Sequence, residues 1–166
     1  MAFPTILRIT VSSGNTVKIP HLSGAYTYDY LINYGDGSPV VHVTSFDDTG
    51  CTHTFVYAGT YDIEISGTCE TISVNDTGTL KQYLTNILSW GSVGLKLIEF
   101  SGCHSLESIP ADTYGGLALI TDFSGTFYGC DKLISIPAAL FSYCTGVTTF
   151  SRTFLNCSAL ITLFKN

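Results

Sequence analysis

The C-terminal part of the chain repeats with a fixed period of 27 residues. Four columns recur at that interval in three copies: Phe100, Phe127 and Phe154; Cys103, Cys130 and Cys157; Leu106, Leu133 and Leu160; Ile109, Ile136 and Leu163. Columns in register predict coils that stack on one another and bury the same side chains in ladders. Because such a stack presents a surface and has no catalytic pocket of its own, the repeat favours a binding function over an enzymatic one.

Composition and charge argue against a disordered chain and against binding to nucleic acid or anionic membranes. The chain has 166 residues, enough for one domain or two small ones. Hydrophobic residues make up 45% and charged residues 12%, which is typical of β-rich proteins and not of disordered chains. The formal net charge of -6 lies in residues 1–79, with two bases and eight acids (2 - 8 = -6), whereas residues 80–166 hold five of each. Neither half offers the basic stripe that binds nucleic acid or an anionic membrane surface.

The sequence also bears on membrane insertion and export. No apolar run approaches the roughly 20 residues of a membrane-spanning helix, so we expect no membrane insertion. The first residues, MAFPTILRITVSSG, lack a basic start, and Arg8 interrupts the apolar stretch. We therefore expect no signal peptide in this chain. Two explanations stay open: the protein acts without secretory export, or a signal has been removed; a virion protein released by host lysis needs none.

Residues 5–75 alternate apolar and polar residues over short stretches. The apolar faces are formed by Leu7, Ile9 and Val11 in ILRITV, by Tyr28, Tyr30, Ile32 and Tyr34 in YTYDYLINY, and by Tyr61, Ile63 and Ile65 in YDIEIS. A tyrosine that shares a face with Ile32 is expected in the core rather than on a sugar-stacking surface. About seven such strands, separated by glycine-rich turns, predict a small antiparallel β-sandwich.

The segments INYGDGSPV, THTF and AGTYDIEIS resemble the motifs of the polycystic-kidney-disease-type (PKD) domain family. Tyr34 stands where that family usually has Trp, and His53 with Phe55 forms its His-x-aromatic element. The resemblance covers roughly residues 5–75 and implies an immunoglobulin-like, non-enzymatic module in which His53 is structural. Asp36 is expected to accept backbone N–H bonds within its own tight turn.

A different pattern begins after residue 79. Segments of the form apolar-x-x-apolar start at residues 106, 120, 133, 147 and 160, which predicts two short strands per coil and parallel pairing between coils. The segments FSGCHSLESIPA, FSGTFYGCDKLISIPAALF and FSRTFLNCSALITLF resemble the BspA-like leucine-rich repeats of bacterial surface proteins. LTNILSWGSVGLKLIEF resembles the segment that often precedes them, so the resemblance covers about residues 84–166. This order of modules is similar to that in Bacteroidales surface and bacteriophage proteins.

The sequence therefore predicts a mainly β protein: a PKD-like β-sandwich over residues 1–79 and a short BspA-like leucine-rich-repeat solenoid of about three coils over residues 80–166. We expect the sandwich to cover the first coil, with Trp90 at the junction, because an open coil exposes an aggregating edge. We expect the last copy, which ends in LFKN, to be a C-terminal cap. Gly102, Gly129 and Asn156 recur where a tight bend needs left-handed backbone geometry.

The six cysteines fall into two groups. Four lie in the repeats and are predicted to be free, buried thiols: Cys103, Cys130, Cys144 and Cys157. Cys51 and Cys69 differ, because they face each other if THTFVY and TYDIEIS form a hairpin about the AGT turn. They are then candidates for a disulfide, and otherwise they remain free thiols.

Motifs for catalysis, metals and cofactors are missing from the sequence. It has no GxSxG, HExxH, Walker or GxGxxG element, no CxxC spacing and no Asp-x-Asp loop. The four histidines, His21, His42, His53 and His104, are not paired at metal-ligand spacing. We therefore expect no enzymatic activity, no catalytic residue, no metal and no cofactor.

These patterns favour a non-catalytic adhesion or structural display protein, exposed on a bacteriophage virion or a bacterial surface, that contacts a protein partner or a surface glycan. The candidate binding residues are Tyr26, Tyr114, Tyr128, Tyr143, Asp122 and Thr148. The tyrosines either stack on sugars and enter a partner or pack between coils, and both interpretations stay open. The alternative hypothesis is a carbohydrate-binding module of a secreted, extracellular bacterial protein. Virion proteins are commonly symmetric, so homo-oligomers are expected as well.

Overall fold

The computed structural model describes residues 3–74 and 78–165, with residues 162–165 described by their backbone. Within these ranges the strands are β1 (Thr5–Val11), β2 (Thr16–Lys18), β3 (Tyr28–Asn33), β4 (Val41–Val43), β5 (Thr52–Thr54), β6 (Gly59–Cys69), β7 (Thr71–Ser73), β8 (Leu84–Ser89), β9 (Leu97–Glu99), β10 (Ser135–Pro137) and β11 (Thr162–Lys165). A 3-10 turn (Thr49–Cys51) and a four-residue helix α1 (Leu80–Tyr83) complete the elements of the described residues. The fold is therefore mainly β, as the sequence predicts.

Five strands form one antiparallel sheet in the order β4-β3-β6-β1-β8. The alternation predicted for β1 is confirmed, because Leu7, Ile9 and Val11 are buried while Arg8 points away. On that outer face the Arg8 guanidinium pairs with the Asp62 carboxylate of β6, with Nε 2.7 Å from Oδ1. One face of the sheet is thus apolar and the other is polar, as an antiparallel sheet with one wet side requires.

The apolar face is closed by the two-stranded antiparallel sheet of β2 and β5. The Tyr34 ring stacks on His53 with centroids 4.3 Å apart and meets Phe55 edge-on at 6.2 Å. Its hydroxyl donates to the carbonyl of Gly50 at 2.7 Å. Tyr28, Tyr30, Ile32 and Tyr34 are all buried, so the prediction that this row belongs to the core is confirmed.

The hairpin about the AGT turn, which would make Cys51 and Cys69 candidates for a disulfide, does not form. Strand β5 pairs with β2, whereas β6 lies between β1 and β3 in the larger sheet. Cys69 therefore lies opposite Tyr28 rather than opposite Cys51. Both cysteines are buried free thiols, because the cross-strand register that would have joined them does not form.

Strand pairing crosses the boundary predicted between residues 79 and 80. Strand β8 joins the large sheet beside β1, and β7 pairs in parallel with β9. Trp90 follows β8 and is only 2% exposed. Its indole N–H donates to the Pro110 carbonyl at 2.9 Å, and its own carbonyl accepts the Thr5 hydroxyl at 2.6 Å. Trp90 thus lies at the junction, as predicted.

Backbone hydrogen bonds link each copy of the repeat to the next at a constant offset of 26 residues. They run from N–H to carbonyl as follows: Phe100 to Thr126 (2.7 Å), Gly102 to Tyr128 (2.8 Å), Phe123 to Thr149 (3.1 Å), Gly125 to Ser151 (2.9 Å), Phe127 to Thr153 (2.9 Å) and Gly129 to Leu155 (2.9 Å). Parallel bridges, such as Asp122 with Thr149, and the parallel pair β10–β11 accompany them. Successive copies therefore stack in register.

The aromatic column predicted from the period is confirmed. Phe100 stacks on Phe127 with centroids 6.0 Å apart, and Phe127 stacks on Phe154 at 5.4 Å. The cysteine column runs beside it, where the Cys130 thiol donates to the Phe100 carbonyl at 3.3 Å and the Cys157 thiol to the Phe127 carbonyl at 3.1 Å. These two thiols each have a hydrogen-bond partner inside the stack, and Cys103 is fully buried in the same column, so the three cysteines are structural.

The bends of the three copies share one backbone conformation. Gly102, Gly129 and Asn156 have φ of 71°, 69° and 63°, which is the left-handed geometry predicted for them. The copies differ at the far end of the stack, where Phe150 and Leu155 are exposed. The predicted cap, LFKN, falls partly outside the described residues, since the structure describes Leu163–Lys165 by backbone alone and leaves out Asn166.

Replacing Phe127 by alanine tests the aromatic column. The ring is buried between two neighbours, so we expect the free energy of unfolding in urea to fall by roughly 3–5 kcal/mol. Tyr57→Ala is the control, because Tyr57 is 76% exposed and should change stability by less than about 0.5 kcal/mol. Equal, small losses in both variants would contradict the column as a source of stability.

Replacing Gly91 by alanine tests the junction. Gly91 has φ of 66°, and a Cβ there would lie 2.5 Å from the backbone of Pro4 and Thr5. Gly94 has φ of 84° with open space around it, so Gly94→Ala isolates the backbone cost of about 1 kcal/mol. We expect Gly91→Ala to lose roughly 1–3 kcal/mol more in urea unfolding; equal losses would mean that β1 does not pack tightly against the Trp90 turn.

Candidate functional site

A shallow groove crosses the stacked copies, and we call it the flank groove. It is lined by Glu99, Ser101, Ser124, Tyr128, Ser151 and Arg152 around a cavity of about 530 Å³. A smaller cavity of about 150 Å³ shares Glu99 and Ser124 with it and extends the groove to Asp122. Hydroxyl, carboxylate, guanidinium and phenol groups from three successive copies are thus brought together.

Asp122 and Ser124 form a hydrogen-bonded turn at one end of the flank groove. Asp122 Oδ1 accepts the Ser124 N–H at 2.6 Å, and Ser124 Oγ lies 3.1 Å from Thr149 Oγ1 of the next copy. Hydrogen bonds from the Ser124 hydroxyl and N–H hold the pKa of Asp122 below its ordinary value. This exposed carboxylate is therefore ionised at neutral pH and can accept further hydrogen bonds.

Tyr128 and Arg152 are the large side chains of the groove. Tyr128 is half-exposed, and its hydroxyl accepts a hydrogen bond from Asn156 Nδ2 at 2.9 Å, which fixes the ring against the following copy. Arg152 has φ of 58°, at the position that Gly125 (φ 66°) occupies one copy earlier. Glycine adopts this conformation at less cost, so the guanidinium stands in the groove although the backbone does not favour a side chain there.

The groove has the chemistry of a binding surface. Its serines and Tyr128 can both donate and accept hydrogen bonds, Glu99 and Asp122 accept them, and Arg152 donates in a planar fork. Glu99 is itself positioned by the Ser73 hydroxyl, which donates to its Oε2 at 2.9 Å. The residues that line the groove include no histidine and no cysteine.

The predicted binding residues are distributed over several places. Tyr128 and Asp122 meet in the flank groove. The Tyr143 ring lies beside Gly115, the residue that follows Tyr114 in the chain. Tyr114 and Tyr143 are both exposed. Thr148 is exposed on a coil, where its hydroxyl donates to the Thr121 carbonyl at 3.1 Å.

Tyr26, one of the predicted binding residues, is half-buried and packs against the core of the first half. It lies in the chain just before β3, where the N–H of the next residue, Thr27, donates to Glu70 Oε2 at 2.9 Å. Because less of its ring is open to solvent, Tyr26 is a weaker candidate for ligand contact than the exposed Tyr114, Tyr128 and Tyr143.

Tyr114 belongs to a second concavity, which we call the junction cleft. It holds about 450 Å³ between the two halves and is lined by residues that include Phe3, Leu88, Trp90, Pro110 and Tyr114. The Phe3 and Tyr114 rings stack at 4.0 Å and 14°, and Tyr114 remains 54% exposed. The stack is an aromatic platform that is open on one side, so it is a second place where a ring-shaped ligand could lie.

The histidines are paired with carboxylates or buried in hydrogen bonds. His53 Nε2 lies 2.7 Å from Asp36 Oδ2, whose other oxygen accepts the Ser38 N–H at 3.0 Å. Burial would raise the pKa of Asp36, but hydrogen bonds from Ser38 and His53 outweigh it and lower the pKa to about 2. The predicted turn role of Asp36 is confirmed, and His53 packs on Tyr34 inside the same turn.

His21 ends a buried chain of hydrogen bonds in the first half. Its Nδ1 lies 2.7 Å from the Thr71 carbonyl, which can only accept, so Nδ1 carries the proton. Nε2 therefore accepts from the Tyr30 hydroxyl at 2.6 Å, and that hydroxyl accepts in turn from the Cys51 thiol at 3.5 Å. Burial lowers the pKa of His21 to about 4 and raises that of Cys51. Each polar group of this chain has a hydrogen-bond partner, so the chain is structural.

Residues 3–74 and 78–165 contain no group of three or more His, Cys, Asp or Glu side chains that could hold a metal ion. Over the same residues, no helix has the length and apolar character needed to cross a bilayer.

Sequence reasoning missed Glu99, Ser151 and Arg152 as site residues. Ser124 and Ser151 carry a signal that could have been used, since they are 27 residues apart within FSGT and FSRT. Glu99 and Arg152 carry none, because neither belongs to a column of similar residues. Glu99 and Arg152 line the same groove because the coils stack and place residues of three copies around it.

Comparison with known proteins gives no assignment. No protein-family model, no curated protein and no solved structure matches this chain significantly. The geometry described above is therefore the basis for inferring a function.

Acid unfolding tests the buried state of His21. In the unfolded chain the imidazole takes up a proton near pH 6.5, whereas in the folded protein it stays neutral down to its lowered pKa of about 4. Between these pH values the unfolded state binds more protons than the folded state. The free energy of unfolding should therefore fall by about 3 kcal/mol as the pH is lowered from about 6.5 to about 4. Urea unfolding at pH 7, 6, 5 and 4.5 measures this slope.

The control for this pH series is His42→Gln, since His42 is an exposed histidine. We expect His21→Gln to flatten the slope and His42→Gln to leave most of it. A His21→Gln variant that keeps the wild-type slope would show that the imidazole is not held neutral in the folded protein.

Proposed function

We propose that the protein is a non-catalytic adhesion or structural display protein. In this proposal a PKD-like, immunoglobulin-type β-sandwich carries a short BspA-like leucine-rich-repeat solenoid, and the flank groove of that solenoid contacts a protein partner or a surface glycan. The observation that carries the proposal is the polar lining of the groove, which three successive copies of one repeat bring together at the surface.

The proposed fold assignment rests on two sets of contacts. Hydrogen bonds at a constant 26-residue offset, with stacked phenylalanines 5.4–6.0 Å apart, support a solenoid in the second half. The Asp36 turn and the packing of His53 between Tyr34 and Phe55 support a PKD-like sandwich in the first half. Modules of these two kinds hold a binding surface rigid, which lowers the entropy lost on binding.

The proposed setting is a virion surface or the extracellular side of a bacterium. The formal net charge of -6 and the low content of charged residues support partners other than nucleic acid. A protein partner within a virion or surface assembly, or a surface glycan, fits the mixture of hydroxyl and carboxylate groups in the groove. Assembly into a homo-oligomer is part of the same proposal, since display proteins of this kind are commonly symmetric.

A carbohydrate-binding module is the second candidate. It is supported by two aromatic side chains that are open to solvent beside polar groups: Tyr128 in the flank groove, and Tyr114 stacked on Phe3 in the junction cleft. Sugar rings stack on such aromatic faces while hydroxyl and carboxylate groups bond their hydroxyls.

A glycan array with matched tyrosine variants tests the groove. We expect Tyr128→Ala to weaken a specific array hit at least about tenfold, or ~1.4 kcal/mol, with unchanged thermal unfolding. Tyr114→Ala tests the junction cleft by the same loss of binding. Tyr57→Ala is the control and should bind like the wild type, because Tyr57 is exposed in the first half. Hits that survive both of the first two variants would contradict these sites.

The array result also separates the two candidate functions. A blank array, together with tight co-sedimentation with phage particles or cell-surface fragments that Tyr128→Ala weakens, supports structural display. Turnover in a screen of glycan and peptide substrates would overturn the proposal of a non-catalytic protein.

A further inference from the structure

At the far end of the stack, the residues that the structure describes leave an apolar surface uncovered, and we call it the open end. It is lined by Phe141, Phe150, Arg152, Thr153, Phe154 and Leu155 around a cavity of about 570 Å³. Phe150 and Leu155 are each 47% exposed. One copy earlier the equivalent ring, Phe123, is fully buried by Phe150, which stacks on it at 5.5 Å. The open end therefore has the shape of an interior layer that lacks its next layer.

The open end also presents a row of backbone donors. In the copy before it, the N–H groups of residues 123, 125, 127 and 129 donate to carbonyls of the following copy. The equivalent N–H groups belong to Phe150, Arg152, Phe154 and Asn156, and in the described part of the chain none of them has a backbone or side-chain acceptor. Four donors at alternate residues thus face outward across an apolar surface, where a buried N–H costs free energy unless it finds an acceptor.

The interior of the stack shows what complements such a row. The acceptors there are the carbonyls of residues 149, 151, 153 and 155, at every second residue of a segment that runs through successive turns. Phe150 and Phe154, four residues apart, lie over Phe123 and Phe127. A matching partner therefore offers alternate carbonyls and two aromatic or large apolar side chains four residues apart.

The repeat stack of a second copy does not supply these acceptors. Its first layer is covered, because β7 pairs with β9 and β8 bonds to the first coil at Ser108. Two open ends placed face to face would set one row of N–H donors and one Arg152 guanidinium against another. Donors would meet donors and like charges would meet, so tail-to-tail pairing is disfavoured.

We propose that the open end binds a segment of a different polypeptide chain that folds into the same succession of turns and adds to the stack as a further layer. The segment accepts hydrogen bonds from the N–H groups of Phe150, Arg152, Phe154 and Asn156. Its two apolar side chains cover Phe150 and Phe154, and acidic residues near Arg152 complement the guanidinium. Binding of this kind repeats the contacts between successive copies, with backbone bonds giving affinity and the two side-chain positions giving specificity.

The probe is a peptide that imitates the missing layer. A fluorescein-labelled peptide of residues 120–136 of this chain, ITDFSGTFYGCDKLISI, carries the alternate carbonyls and both rings; serine replaces its cysteine to prevent oxidation. We expect saturable binding to the full chain by fluorescence polarisation, and at least tenfold weaker binding of a peptide with serine in place of Phe123 and Phe127. Saturation that is equal for both peptides, or no binding up to 1 mM, would overturn the proposal.

Two protein variants locate the binding. Phe150→Asp should weaken peptide binding at least tenfold, whereas Phe46→Asp, at a similarly exposed phenylalanine of the first half, should leave it unchanged. Arg152→Glu keeps the rings and places a carboxylate beside the donors, so it should also weaken binding tenfold and remains informative if Phe150→Asp fails to fold. Equal binding by Arg152→Glu and the wild type, or a dimer in sedimentation velocity that Phe150→Asp abolishes, would overturn the proposal.

Discussion

The hydrogen bonds that pass from each copy of the repeat to the next determine the rest of the second half. The N–H groups at alternate residues from Phe123 to Gly129 all donate to the following copy, and those of Thr148 and Ile161 donate back to the preceding one. Each copy therefore fixes the height and the rotation of the next. The Phe100–Phe127–Phe154 column and the thiols that bond to the carbonyls above them follow from that alignment. In a short stack each exposed end is a large part of the whole, so the first layer needs a cover. Strands β7 and β8 provide it.

The fixed alignment also explains why a surface site exists at all. The flank groove draws on residues that lie far apart in the chain, from Glu99 to Arg152, yet none of them needs a loop of its own to hold it in place. The bend that holds glycine in one copy holds Arg152 or Asn156 in the next, with nearly the same φ. Side chains can therefore change on the surface while the core columns stay constant, which is how one scaffold can present a particular set of polar groups.

Periodic features were predictable from the sequence, and pairings between distant segments were not. The phenylalanine column, the bend at Asn156, the buried row from Tyr28 to Tyr34 and the junction at Trp90 all follow from spacing or alternation. The Cys51–Cys69 hairpin was wrong because nearness in the chain does not decide which sheet a strand joins; β6 found β1 and β3 instead. The second ring column, Phe123 on Phe150, was missed because two copies make a weak pattern. Glu99 and Arg152 belong to no repeated column in the sequence. They line one groove only because the copies stack, which the sequence pattern does not show.

The place of β8 beside β1 has a consequence for synthesis on the ribosome. Strand β1 is made first, and its partner β6 follows some fifty residues later, but the strand on its other side, Leu84–Ser89, emerges only after the whole first half. Until then the nascent chain carries β1 as a free edge, which other strands can pair with. The long sequence separation of this pair predicts slow closure of the sheet, so the first half reaches its finished form only when the second half has begun to fold onto it.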